Sequence, residues 1–430
     1  MSLFSQNQAL AKVWQRHAGE LCRAEGLSAA TVVEALERGT MVLLGNPAHP
    51  ALKPTLVGQP SRVKVNANIG TSPLRNSPEA ELEKLGAALD AGADTVMDLS
   101  IAGDLKEIRA AMLRACPRPL GTVPLYAVAQ RSIDSGRDPA RIDPEEIFAE
   151  IEAQAEQGVD FMTVHCGVTE RGAAWADEEG GRVMGIVSRG GSILARWMRA
   201  RKRENPLLEG YDRILEIARR HNVVLSLGDG LRPGAGVDAG DAAQWEEVVM
   251  LGRLARRGLA AGVQCMVEGP GHVPMQQVEA QIRGIKAACG GAPLYVLGPL
   301  VSDCCPGWDH IAGAIGGALA VRAGVDFLCY LTPAEHLTLP DLADVRAGVI
   351  ASRIAAQAGE AALGRPAALR RELAMSEARK NLDWKGMQSL ALDPAVVCAK
   401  RAEHADEEVC AMCGEFCAVK MLRREISEAV

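Results

Sequence analysis

The chain has 430 residues, 48% of them hydrophobic, with 44 glycines and 22 prolines, enough for one large loop-rich domain and smaller additions. A formal charge of −7 and an aromatic content of 3% argue against a nucleic-acid partner, which would want a basic surface and stacking platforms. No uncharged apolar run is long enough for a membrane span, the opening MSLFSQNQALAKVWQRHAGE lacks a signal-peptide core, and twelve cysteines without such a leader suit a reducing, cytoplasmic setting.

Residues 1–60 combine a helical pattern from Ser28 to Glu37 with turns near Gly45 and Pro47, and are expected to form an N-terminal cap or oligomer contact. From Val63 one unit recurs: an apolar strand, a turn, then an amphipathic helix. The predicted strands are VKVNANIG, DTVMDLS, TVPLYAV, DFMTVHC, VVLSLGDG, QCMVEGPG, PLYVLGPL and DFLCYLT, separated by helices such as Pro78–Ala91, Pro144–Gln157, Leu208–His221 and Ala243–Ala261. Continuous apolar strands alternating with helices predict an α/β fold with a parallel sheet covered on its outside, and eight units fit a closed (β/α)₈ TIM-like barrel over residues 61–340. A ninth segment, MGIVSRGGS at Met184–Ser192, is either the fifth strand or a long phosphate-binding loop; as a strand it would place DFLCYLT outside the barrel. Residues 341–397 read as a helical domain, with helices over Leu342–Leu363, Pro366–Arg379 and near Lys385. Residues 398–430 form a tail: a charged stretch AKRAEHADEE, which is either a hinge or a solvated helical turn, a cysteine loop, and a basic end KMLRRE.

The cysteine loop, CAMCGEFC, puts Cys410, Cys413 and Cys417 within eight positions. Thiolates so spaced can converge on one metal. Three ligands leave an iron–sulfur cube with one open iron, whereas zinc would need a fourth ligand such as His404, and an unligated exposed loop is the remaining alternative. Such a cluster would require an anaerobic or protected context. Cys166, Cys265 and Cys329 lie in apolar segments and read as packing residues.

Polar residues recur at the carboxyl ends of the predicted strands, where barrel enzymes build their sites. Asn66 and Asn68 end the first, Asp98 and Ser100 the second, Tyr126 the third and His165 the fourth. With MGIVSRGGS counted as the fifth, Ser226 and Asp229 fall on the sixth, and Glu268 with His272 on the seventh. Ser188, Arg189 and Gly190 of SRGGS offer a hydroxyl, a guanidinium and unobstructed amides to an anion. Asp229 can accept from a ribose hydroxyl and Arg232 can meet a charged group. His272 and His336, next to Glu268 and Glu335, can hold a borderline metal, with His310 as a competing ligand or acid. Cys304 and Cys305 are too close for an ordinary disulfide.

NANIGTSP, MDLS, DFMTVHCGV, VSRGGS, ENPL, LSLGDGLRPG, VEGPGHVP, YVLGPL, PAEHL and the cysteine tail resemble the phosphomethylpyrimidine synthase family of radical S-adenosylmethionine enzymes, over about Val63 to Val419. The resemblance implies a barrel, a domain-swapped homodimer, 5-aminoimidazole ribotide as substrate and an electron donor such as ferredoxin or flavodoxin. It implies that Cys410, Cys413 and Cys417 hold a [4Fe–4S] cluster whose open iron binds S-adenosylmethionine, so that a 5′-deoxyadenosyl radical attacks the ribotide. It also implies a divalent metal, zinc or iron, on His272 and His336, and a substrate pocket of Asn68, Met97, Tyr126, His165, Ser188, Arg189, Gly190, Asp229, Arg232, Glu268 and Tyr295, with Glu268 counted among the catalytic groups. The chain departs from the family's thiamine-pathway pattern at SIAGD (Ser100–Asp104), PLYAV (Pro124–Val128) and DCCPGWDH (Asp303–His310). Those departures favour the relative that makes 5-hydroxybenzimidazole for cobamide lower ligands. The alternative product is 4-amino-5-hydroxymethyl-2-methylpyrimidine phosphate for thiamine, and the non-enzyme alternative is a metal-stabilised interaction protein.

Overall fold

Eight short parallel strands, buried along almost their whole length, close on themselves. The computed structural model describes residues 2–50, 52–177 and 181–421. A two-stranded antiparallel hairpin, β1 (Val42–Leu44) and β2 (Thr55–Val57), comes first. The barrel then takes β3 (Lys64–Ile69), β4 (Thr95–Asp98), β5 (Leu120–Thr122), β6 (Phe161–Val164), β7 (Val224–Leu227), β8 (Cys265–Glu268), β9 (Leu294–Leu297) and β10 (Phe327–Cys329) in chain order, and β10 pairs back onto β3. The (β/α)₈ expectation is therefore met, and DFLCYLT is the eighth barrel strand.

One open alternative is decided and one strand expectation is corrected. Met184–Val187 is an irregular loop, and Ser188 caps a helix over Arg189–Arg201, its Oγ accepting from the Gly191 amide at 3.2 Å. The residues between β6 and β7 thus form a long loop and helices, so Ser226 and Asp229 belong to the fifth barrel strand and Glu268 to the sixth. In TVPLYAV only the first residues lie near the sheet. Pro124 opens a helix over Pro124–Asp134, its fixed φ and missing N–H suiting the first helical position, so Tyr126 sits in a first helical turn.

The barrel's amino end is stoppered. Val42, Leu44 and Val57 of the hairpin pack among Phe161, Val224 and Phe327, the first residues of their strands, in the same cluster that reaches Met97, Tyr295 and Cys329. Gln264 secures the hairpin: its Oε1 accepts from the Leu43 amide at 2.7 Å and its Nε2 donates to the Leu43 carbonyl at 3.1 Å. Buried aspartates just before three strands satisfy amides of a neighbouring one: Asp94 takes Val65 N–H, Asp160 takes Leu120 N–H and Asp326 takes Leu294 N–H. With one end filled, the carboxyl end is the open one.

The chain divides into two compact units, Met1–Gly359 and Glu360–Val430. The second contains helices Pro366–Lys380, Trp384–Leu390 and Pro394–Arg401, followed by short turns of 3₁₀ helix at Ala402–His404 and Gly414–Phe416. Most of the basic end expected after the cysteine loop, from Leu422 onward, lies outside the described residues. Among the described residues no helix is long and apolar enough to cross a membrane.

Asp160 accepts three bonds of 2.7 Å, from Asn46 N, Leu120 N and His49 Nδ1, joining the hairpin's loop to the barrel floor. Replacing it leaves two amides and the His49 Nδ1 without partners in a dry interior. Asp160→Ala is expected to lose about 3–5 kcal/mol of stability in denaturant unfolding, and a loss near zero would mean that water replaces the carboxylate.

Candidate active site

The floor of the open end is a polar ladder laid down by strand alternation. Asn66 and Asn68 share one face of β3. Asn66, fully buried, donates to Asn68 Oδ1 at 2.7 Å and to the Tyr295 hydroxyl at 2.8 Å, and accepts from Thr95 at 2.7 Å. Asn68 Nδ2 lies 3.1 Å from the Cys329 thiol. Across the floor, Thr163 of β6 and Ser226 of β7 both donate to Glu268 Oε1 of β8 at 2.7 Å. Burial still raises the Glu268 carboxyl above its ordinary range, despite those donors.

The rim joins this floor to a helix terminus. His165 follows β6 and is 2% exposed, with no partner on Nδ1. Burial, helped by the Arg232 charge, pushes its imidazole down to about 3, so the ring is neutral at physiological pH. A methyl group on Gly190 would fall 2.3 Å from His165 Cε1, and one on Gly191 would fall 2.1 Å from the Gly230 carbonyl oxygen. Only glycines at both places let the first turn of the Arg189–Arg201 helix rest on His165 and the β7 loop. That turn leaves the Arg189 and Gly190 amides without a protein acceptor among the described residues, at the positive end of the helix dipole. The Arg189 guanidinium lies over the Tyr126 ring, 4.7 Å from its centroid. Asp229 Oδ1 meets Arg232 at 3.2 Å, while its Oδ2 is buried without a partner. Burial pushes the Asp229 carboxyl well above its ordinary range, only partly opposed by Arg232. A buried oxygen and a buried imidazole nitrogen, each unpartnered and each on a residue lining the same cleft, mark where a ligand's polar groups would be satisfied.

Asn68, Met97, Tyr126, His165, Asp229, Arg232, Glu268 and Tyr295 line one cleft of about 540 Å³. An adjoining chamber of about 860 Å³ shares Asn68 with it and adds Arg189, Glu335 and His336. Ser188 and Gly190 stand behind the cleft as helix cap and packing contact. Asp98 and Ser100 serve loop structure, Asp98 accepting from Ser100 N and Ser100 from Thr71 N. Three contributors were not legible in the sequence. Cys329, read as a packing residue, lines the cleft, as does Thr163. Arg182, 1% exposed at its side chain, binds Asp241 and the carbonyls of Leu231 and Arg232, tying the loop before Ser188 to the loop that carries Arg232.

The two expected metal histidines come together, their ring centroids 5.4 Å apart. Asp303 holds His272 Nδ1 at 2.7 Å and Asp309 holds His336 Nδ1 at 3.2 Å, an arrangement that orients metal-bound imidazoles. His336 adopts φ 61°, a strained conformation for a non-glycine residue. His310 instead stacks on Trp308. In the second unit, the amides of Met412 and Cys413 draw the Cys410 thiol below its ordinary range, and Cys413 also hydrogen-bonds to it. Among the described residues no three His, Cys, Asp or Glu side chains, the three loop cysteines and His404 included, are gathered as a set that could hold a metal ion. The donor chemistry nonetheless fits. The loop offers three thiols to a cluster with one open iron, and the histidine pair offers two oriented imidazoles to a metal that takes its other ligands elsewhere.

A (β/α)₈ barrel with such a carboxyl-end cleft defines a barrel enzyme. Comparison with known proteins gives the particular family: the Radical SAM ThiC family model matches residues 5–424, and the chain belongs to that family, in which a [4Fe–4S] cluster and S-adenosylmethionine are typical. The chain is 49% identical to the phosphomethylpyrimidine synthase of Desulfotalea psychrophila over 408 residues, 94% of each chain. It is 51% identical to that of Moorella thermoacetica over 407 residues (94% of this chain, 93% of the relative) and 50% identical to that of Methanopyrus kandleri over 415 (95% and 96%).

These likenesses overturn the expectation of a 5-hydroxybenzimidazole synthase. The structure gives the physical reason why the departures misled. Ala127 and Val128 are buried helix positions, Cys304 and Trp308 are exposed, and none of the departing residues lines the cleft; Ile101 reaches only the adjoining chamber.

Gly190→Ala should cost about 1–3 kcal/mol by overpacking and about a hundredfold in kcat/KM by displacing the helix terminus; unchanged kinetics would show that this contact does not set the site. In NMR titrations His165 should remain neutral down to about pH 4, since its value lies at about 3. The unfolded chain takes up that proton near 6.5, so stability should fall as pH drops from 6.5 toward 3, and His165→Gln should remove this component. An imidazole titrating near 6.5 in the folded protein would refute the assignment.

Proposed function

We propose that this chain converts 5-aminoimidazole ribotide into 4-amino-5-hydroxymethyl-2-methylpyrimidine phosphate, the activity of a phosphomethylpyrimidine synthase, in the cytoplasm and as a domain-swapped homodimer. The carrying observation is likeness to phosphomethylpyrimidine synthases at about half identity over nearly the whole of both chains. When bound, a cluster on Cys410, Cys413 and Cys417 would supply S-adenosylmethionine with an electron from ferredoxin or flavodoxin and so release a 5′-deoxyadenosyl radical.

The chain's own residues would then bind, orient and exclude water. Arg189 and the free amides of its helical turn would take the ribotide phosphate, with Ser188 holding that turn in place as its cap. Asp229 Oδ2 would accept from a ribose hydroxyl, and neutral His165 would offer its unpartnered Nδ1. Glu268, its Oε1 fixed by two hydroxyls, would hold or move a proton at the reacting end. Asn68, Met97, Tyr126, Arg232 and Tyr295 would shape the remaining walls. His272 and His336 would bind one zinc or iron ion, with residues 398–430 acting as the cluster-bearing tail beyond a helical region, 341–397.

Anaerobic reconstitution with the ribotide, S-adenosylmethionine and a reductant should yield 5′-deoxyadenosine and a phosphorylated aminopyrimidine, identified by product mass. Cys413→Ala should abolish both products. A hydroxylated benzimidazole, or turnover that survives Cys413→Ala, would overturn the proposal. Removing the imidazoles together (His272→Ala with His336→Ala) should eliminate one bound divalent metal while cluster iron and sulfide stay at parental levels; retention of that metal would place its site elsewhere.

A further inference from the structure

A loop that must bring three thiols to one metal centre has to fix its backbone, and an unrestrained loop loses that freedom only when the metal binds. The residues leading into the cysteine loop are already held. Trp384, at the start of the Trp384–Leu390 helix, donates its indole N–H to the Glu408 carbonyl at 2.9 Å. Arg401, at the end of the Pro394–Arg401 helix, lies over the same indole, 4.0 Å from the ring centroid. Its two terminal nitrogens donate to the carbonyls on either side, Glu407 at 2.8 Å and Val409 at 3.3 Å. Three successive carbonyls immediately before Cys410 are therefore engaged by two stacked side chains from different helices. Beyond the loop, Lys420 reaches back to the Glu408 carboxylate at 3.0 Å, linking the exit to the entrance. Val409, between these contacts, is buried.

Charge gives the contacts a second role. Glu403, Asp406, Glu407 and Glu408 crowd the approach to a loop whose thiolates are themselves negative when they bind metal. Arg401 places a fixed cation against that approach, and its planar fork spans two carbonyls in a way an ammonium does not. Neither Trp384 nor Arg401 is a metal ligand.

We propose that Trp384 and Arg401 form a clamp that preorganises the cysteine loop for its iron–sulfur cluster, as positioning residues acting through the backbone at residues 407–409. The inference rests on the cluster assignment above, so its test reads the apo chain as well as the loaded one. In apo protein, Trp384→Leu and Arg401→Gln should speed amide hydrogen exchange across residues 406–421, with exchange in the barrel unchanged. In anaerobically reconstituted protein, both variants should lose iron to a ferrous chelator about tenfold faster than the parent, the equivalent of about one hydrogen bond. Arg401→Lys should fall between them and the parent. Parental exchange in residues 406–421 in both variants overturns the clamp. So does faster exchange coupled to parental iron loss, because the ordering would then do nothing for the cluster. A parent that takes up no iron and sulfide would refute the cluster assignment instead, a result separate from the exchange measurement.

Discussion

The cleft depends on one close approach: the first turn of the Arg189–Arg201 helix resting on His165 and on the backbone at Gly230. A helix terminus offers an anion its free amides only if nothing stands between them and the ligand, and only if the helix axis points at the cavity. Gly190 and Gly191 permit the approach by having no Cβ to hold the helix away. Ser188 completes the turn by taking the Gly191 amide, which fixes where the remaining amides point. Arg182 draws the preceding loop onto Asp241 and the Arg232 carbonyl, so the helix start and the β7 loop cannot separate independently.

Burial sets the charge of the cavity. Two buried carboxylates, Asp229 and Glu268, face Arg232, and burial raises both toward neutrality. A buried unpaired charge costs several kcal/mol in such surroundings, so these groups are poised to gain from a ligand that brings hydroxyls or a positive ring. His165 is neutral for the same reason, and therefore offers a lone pair or an N–H without adding charge beside the arginines. A cavity arranged this way suits an anionic, hydroxyl-bearing molecule, with its negative end at the helix and its donors toward Asp229.

How much of this was legible in the sequence depended on whether the signal was local. The helix over Pro144–Gln157 follows from an aspartate cap, a proline at the first position and a glutamate completing the capping box, all adjacent in the chain. The barrel followed from repetition of apolar strands. The third strand was misread because LYAV is equally a buried helical face, although Pro124 carried the correcting signal. MGIV stays open between strand and loop in the sequence because a short apolar run does not declare its partner strand. Cys329 was beyond reach: a thiol facing a cavity and a thiol facing a core have the same neighbours in sequence, and only its approach to Asn68 distinguishes them. The pairing of His272 with His336 depends on two loops meeting across the mouth, which no spacing encodes.

Product choice in a radical rearrangement belongs to whatever holds the fragments between bond cleavage and recombination. Sequence departures carry weight there only if their side chains reach the fragments. Leu125, Ala127 and Val128 share a short helical segment with Tyr126, yet it is Tyr126 that reaches the cleft, beneath Arg189. Leu125, Ala127 and Val128 are buried behind it, so exchanging them alters packing and not the lining of the cleft. The Cys304–Trp308 loop bears on chemistry by another route: it is bracketed by Asp303 and Asp309, the two carboxylates that orient the histidine pair. Cys304, Cys305 and Trp308 do not line the cleft, so variation there acts on the support of that pair rather than on the cleft walls.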